Sequence, residues 1–234
     1  MTKFSPSTNK FYCFSPPVMI ATFLFEIFSV VYILWRYKLN LATQIIIAIL
    51  VNLAIFQYAE YRICDGGDIQ WAKIGFVAIS FLPPLGIHLA SVIAKKNTQY
   101  ISLIYGLAAM FSLFFLLTSA IESQVCGGNY VIFEYAKSPL ALIVYPLYYY
   151  SLTLMGMILS FKWARDKNNH KSKTALVSLG AGYAIFLIPT TTVNILAPQT
   201  IQAIPSIMCG FAVLLAVALV WKVVPNTTSL RSKR

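Results

Sequence analysis

Glu26, Gln57, Glu60 and His88 are side chains able to accept or carry a proton within stretches built mostly of apolar residues. In apolar surroundings such groups cost free energy, so each demands a partner or a function. Gln57 and Glu60 are spaced i and i+3, which sets them on one helix face, where they can line an outward-opening pocket. Glu60 has a second reading as an interfacial carboxylate paired with Arg62 or Lys73. Glu26 reads either as an interhelical hydrogen-bonding group in its neutral form or as a proton relay, because burial disfavours the charged carboxylate. His88 reads first as a packed, hydrogen-bonded ring and second as a ligand or base. Tyr145 and Tyr149, at i and i+4, can turn both hydroxyls inward. Gln57, Glu60, Tyr145, Tyr149, His88 and Glu26 are therefore the candidate ligand-binding set.

Prolines are the second source of chemistry, since each removes a helix hydrogen bond and frees a carbonyl that a neighbour, a hydroxyl or water must satisfy. Pro83, Pro84, Pro146, Pro189 and Pro205 all fall within apolar runs and are expected to be kinks or hinges. Thr190, Thr191, Thr192 and Asn194 follow Pro189 and are placed to bond the carbonyls it frees.

The elements that must hold these residues are seven apolar blocks, each about the length an α-helix needs to cross a bilayer. Their expected bounds are Pro17–Trp35, Asn40–Tyr61, Trp71–Ala94, Gln99–Ile121, Ser138–Phe161, Thr174–Leu196 and Ile201–Val223. With 59% hydrophobic and 11% charged residues and a mean hydropathy of +0.73, the chain has too little polar surface for a soluble domain. The fold class is an all-α, seven-transmembrane-helix bundle. Its expected parts are an extracytoplasmic segment (1–16), the seven-helix domain (17–224) and a basic cytoplasmic tail (225–234). The polar start of the chain shows no cleavable signal, and the tail is too short for a catalytic or signalling domain.

Basic residues orient the bundle, because Lys and Arg are retained in short cytoplasmic loops. Of the 18 Lys and Arg, one side collects Arg36, Lys38, Lys95, Lys96, Lys162, Arg165, Lys167, Lys171, Lys173, Lys222, Arg231, Lys233 and Arg234. The other side keeps Lys3, Lys10, Arg62, Lys73 and Lys137, so the N-terminus is expected outside and the C-terminus in the cytoplasm. The net charge of +11 is then explained by orientation and anionic headgroups, with no nucleic-acid partner. Cys64 and Cys126 both fall in outer loops, each beside a glycine pair, and are expected to form a disulfide. Cys13 is a competitor on the same side, whereas Cys209 reads as a small packing residue. His88 and His170 lie apart from the outer cysteines, so neither a metal site nor a cofactor is expected.

The run Trp71-Ala-Lys-Ile-Gly-Phe-Val-Ala-Ile-Ser-Phe-Leu-Pro83-Pro84-Leu-Gly-Ile-His88, preceded by Gln57 and Glu60, resembles the seven-transmembrane N-terminal sensor region of bacterial histidine kinases. In that family an aromatic residue opens the third span and Leu-Pro-Pro follows about ten residues later. The specific match covers about Gln57 to Ala94. It implies a stand-alone sensor in the bacterial inner membrane, without the kinase domain, that signals through a partner protein. Other seven-helix chemistries fit less well. A retinal Schiff base needs a lysine in the last helix, and Ile201–Trp221 has none. The single Pro198-Gln199 pair is a weak sign of a PQ-loop transporter, and no catalytic motif lies in a span. The expected function is a sensor or receptor-like module that binds a small or lipidic ligand in an outward-facing cavity. The alternatives are a small transporter and a structural subunit of a membrane complex.

Overall fold

The computed structural model describes residues 15–97, 99–126, 130–136, 138–197 and 202–231. Lys3, Lys10, Cys13, Lys137, the glycines after Cys126, the Pro198-Gln199 pair, Lys233 and Arg234 lie outside the described residues. Six helices are long and apolar enough to cross a membrane: Pro16–Arg36, Leu41–Cys64, Ile69–Ala94, Leu140–Arg165, His170–Leu196 and Ile204–Thr227. The chain is an integral, multi-pass membrane protein. The first two are α1 (Pro16–Arg36) and α2 (Leu41–Cys64), and the third is divided into α3 (Ile69–Ser80) and α4 (Leu82–Ala94). Then come α5 (Ile101–Leu117), a hairpin of β1 (Ile121–Cys126) and β2 (Val131–Tyr135), α6 (Tyr145–Arg165), α7 (His170–Leu196), α8 (Ile204–Ala218) and α9 (Val224–Thr227).

Local chemistry explains where these helices start. Asn40 and Thr43 form a reciprocal cap at the head of α2: the Thr43 N–H donates to Asn40 Oδ1 at 2.9 Å and the Asn40 N–H to Thr43 Oγ1 at 2.8 Å. The Asn169 side chain accepts from the Lys171 N–H, and this cap starts α7 four residues before the expected Thr174. α5 is the departure from seven equal spans. At 17 residues it is about 25 Å long at 1.5 Å per residue, short of a hydrocarbon core of about 30 Å. It stops because the backbone turns extended at Thr118 and enters β1, where an apolar helix was expected to run on to Ile121.

The chain is all-α as expected, apart from one short hairpin between α5 and α6. β1 and β2 pair antiparallel from Cys126↔Val131 to Ile121↔Tyr135, with an irregularity between Ile121 and Ser123. Val131 and Phe133, alternate residues of β2, are buried, as the period of two requires when one face of a strand packs on a core. Phe133 and Tyr135 both meet Phe76 edge-on, at 5.1 and 5.8 Å between ring centroids. Two strands alone are marginal in water. Here the Cys64–Cys126 disulfide, with Cα atoms 5.1 Å apart, ties β1 to the end of α2, and the Gln124 side-chain amide donates to the Gly67 and Asp68 carbonyls.

α2 packs against α1, α3, α4 and α8, while α6 sits on α4 and α7, and α7 on α8. α5 lies along α3 and α4, with the Lys73 ammonium on the Leu116 carbonyl near one end and Tyr105 on His88 toward the other. The Ile69–Ala94 span is 72% buried within the bundle against 22% for Pro16–Arg36, so the third span is central and α1 is peripheral.

The prolines do different things. Pro83 and Pro84 occupy the first turn of α4, and the break falls at Phe81. Pro84 has no N–H to give the Ser80 carbonyl, and the Tyr148 hydroxyl bonds that carbonyl instead, at 2.8 Å. Pro146 follows a π turn at Leu140–Val144, and Pro225 follows another at Leu219–Val223. One added residue per turn widens the helix just where a proline ring would strike the carbonyl four residues back. Pro189 sits inside a continuous α7. Thr190 and Thr192 bond the Phe186 and Ile188 carbonyls, so their hydroxyls serve neighbours of the carbonyl freed by Pro189. Pro205 is not a kink, contrary to expectation: it lies in the first turn of α8, a position where a proline N–H is not needed.

The described part of the basic tail is bonded to the bundle. Residues 227–231 are strapped to the α1–α2 corner: Asn40 donates to the Thr227 carbonyl, Lys38 N–H to Ser229, Thr228 Oγ1 to Lys38, and Arg231 N–H to the Arg36 carbonyl.

Candidate functional site

α8 stands between two spaces near the hairpin that differ in size and in the polar side chains at their walls. Toward α3 and α6 lies a cavity of about 160 Å³, walled by Ile79, Tyr135, Tyr145, Pro146, Tyr149 and Met208 among others. The π turn and Pro146 place Tyr145 and Tyr149 on its wall at the head of α6, next to Tyr148 in the same turn. The Tyr145 hydroxyl lies 3.2 Å from Ser80 Oγ, which itself donates to the Phe76 carbonyl. Tyr145 also meets Phe115 edge-on, with 4.8 Å between ring centroids. Tyr150 on the same wall bonds Asn194 of α7. Tyr135 closes the hairpin side of this cavity, and burial pushes its phenol above the ordinary tyrosine range, so it stays a neutral donor.

On the other face of α8, toward α1 and α2, lies a crevice of about 10 Å³ lined by Val18, Met19, Thr22, Gln57, Glu60, Ser206 and Gly210. The i, i+3 spacing does bring Gln57 and Glu60 to one face, and both are 2% exposed. The Gln57 amide donates to the Cys209 carbonyl at 3.1 Å. Ser206 bonds Glu60 and accepts the Val131 N–H of the hairpin at 3.0 Å. The other Glu60 oxygen, Oε1, has no hydrogen-bond partner, and neither oxygen of Glu26 has one. Glu26 is wholly buried on α1, and Cys209 interacts electrostatically with both carboxyl groups.

The six candidate residues therefore do not form one site. Gln57 and Glu60 line the polar crevice, Tyr145 and Tyr149 the aromatic cavity, and α8 stands between them. Glu26 lies beside the polar group but lines neither space. His88 is elsewhere, half-buried between α4 and α5, its Nδ1 3.2 Å from the Tyr105 hydroxyl, which is the packed, hydrogen-bonded reading of that ring. The reading of Glu60 as an ion pair with Arg62 or Lys73 is not what the geometry shows. The Arg62 guanidinium lies 5.2 Å over the Trp71 ring and Lys73 serves the Leu116 carbonyl.

Sequence reasoning missed Ser206, Ser80 and Tyr148. Serines in an apolar helix are common, and only Ser206's position one residue after a helix-starting proline hinted at a role. Tyr183 was also missed. Its ring packs so closely on Gly86 that a Cβ there would overlap its hydroxyl, which gives the glycine of Leu-Pro-Pro-Leu-Gly a steric reason. Among the described residues no three His, Cys, Asp or Glu side chains come together as a metal site. No protein-family model matches the chain, and no curated protein matches it either.

Proposed function

We propose that this protein is a membrane sensor module that binds a small apolar or lipidic ligand in the tyrosine-walled cavity and signals its occupancy to a partner protein. The cavity carries the reading. Its volume of about 160 Å³ matches apolar cavities of about 150 Å³ that hold a benzene-sized guest. It is walled by Pro146 and reaches Leu142 of the π turn, a helix irregularity characteristic of functional sites. A ligand that prefers one arrangement of this turn shifts α6, whose far end carries Lys162 and Arg165, and a partner there can read the shift. In this proposal all seven apolar helices cross a bacterial inner membrane. The N-terminus is outside, as the uneven division of Lys and Arg favours, and the hairpin disulfide sits on the oxidising side. The resemblance of Trp71–His88 to kinase sensor regions supports the same role.

Native mass spectrometry of the full chain released from its own membranes tests this. The wild type is expected to carry a bound small molecule or lipid, and Ala141→Leu, which fills the cavity wall, is expected to lose it while eluting unchanged. A wild type without any bound species, or an adduct untouched by Ala141→Leu, would sink the reading.

A further inference from the structure

Two carboxyl groups, Glu26 and Glu60, are buried among helices with no basic side chain paired to either among the described residues. Arg62 is held over Trp71 and Lys73 on the Leu116 carbonyl. A bare carboxylate in such a place costs several kcal/mol, so such a group takes up a proton or pairs with a cation. The two groups differ in what they offer. Glu26 presents both oxygens to its surroundings without a hydrogen-bond partner and does not line the crevice. Glu60 has one oxygen fixed by Ser206 and the other, Oε1, unpartnered at the wall of the crevice. That crevice, about 10 Å³, is near the smallest that holds one water-sized guest. Around it stand the Gln57 amide and the Thr22 and Ser206 hydroxyls.

We propose that this crevice between α1, α2 and α8 is a site for one exchangeable monovalent cation, H+ or Na+, held by the Glu60 carboxylate with oxygen from Gln57 and Ser206. The charge count selects one positive charge, because only Glu60 reaches the space. The volume excludes an organic ammonium, which needs several times the room. A hard, oxygen-only set suits a proton or an alkali ion. Cys209 on α8 interacts electrostatically with both Glu60 and Glu26 on α1, and neither a thiol nor a carboxyl group can supply a positive charge. Ser206 sits directly beneath the Val131 N–H, which places the site next to the hairpin end of the bundle. The site is separate from the tyrosine-walled cavity and does not rest on its having a ligand.

Infrared difference spectroscopy on the full chain in lipid nanodiscs tests the site. The carboxylic C=O band belonging to Glu60 is assigned as the one removed by Glu60→Gln and kept in Glu26→Gln. The expected result is loss of that band on raising the pH, on replacing choline chloride with NaCl at fixed pH, or both. Loss with pH alone identifies the proton as the occupant, and loss with NaCl identifies Na+ as well. If Glu60→Gln does not fold, spectra of Glu26→Gln in NaCl against choline chloride and across pH report whether a buried carboxyl other than Glu26 exchanges. A carboxyl region unchanged by both pH and Na+, or lacking any Glu60 band under all conditions, overturns the proposal.

Discussion

The two faces of α8 solve the burial of polar groups in opposite ways. On the aromatic face the polar groups satisfy one another: the Tyr148 hydroxyl caps the carbonyl that Pro84 leaves free, and Tyr145 and Ser80 meet. On the carboxylate face they do not, since three carboxyl oxygens stay without partners. A satisfied buried group stabilises by being kept, whereas an orphan stabilises only when something arrives to pair it. The aromatic face thus has its polar groups paired within the fold, and the carboxylate face keeps acceptors to offer.

The largest expected effect tests the roof common to both faces. The Cys64–Cys126 bond closes a loop with a sequence separation of 62, which in the chain-entropy model corresponds to about 4 kcal/mol. Cys64→Ser should therefore lower thermal stability strongly and release the hairpin from both chambers at once. Hydrogen exchange should rise at Val131, above the crevice, and at Tyr135, above the cavity. A rise at one only would mean that the two faces are roofed independently.

A smaller effect sharpens the contrast itself. Tyr148→Phe removes the donor to the Ser80 carbonyl and leaves that carbonyl buried and unpaired, at a cost of about 1–3 kcal/mol. Denaturation of the purified protein in detergent should show the loss. The smallest effect lies across α8. Glu26→Met deletes two oxygens that bond nothing, so it should leave stability within about 1 kcal/mol of the wild type or raise it. If Glu26→Met costs more than Tyr148→Phe in the same assay, the asymmetry between the faces is wrong.

Much of this layout was legible in the residues. The apolar blocks gave the helices to within a few residues, because length and hydropathy dominate where the surroundings are apolar. The cysteines beside glycine pairs gave the disulfide. The hairpin was not legible: Val131–Tyr135 is short, and its pairing is enforced by the disulfide and by Phe76 rather than by its own pattern. Pro205 looked like a kink because sequence alone does not say that α8 begins beside it. The division of the site is the instructive miss. Spacing correctly put Gln57 with Glu60 and Tyr145 with Tyr149, since each pair shares one helix. Whether the two pairs meet depends on which helix lies between α2 and α6, and no local periodicity encodes that.

The strap at the opposite end has a mechanical meaning. Hydrogen bonds between residues 227–231 and the Arg36–Asn40 corner make the end of the last helix and the turn between the first two a single anchored knot. A pull applied at Arg231 loads these bonds first, and through them the feet of α1 and α2, whose upper turns carry Glu26 and Glu60. Both helices bonded to this knot, α1 and α2, carry the buried carboxyl groups, so tension at this end has a direct path to the carboxylate face of the bundle.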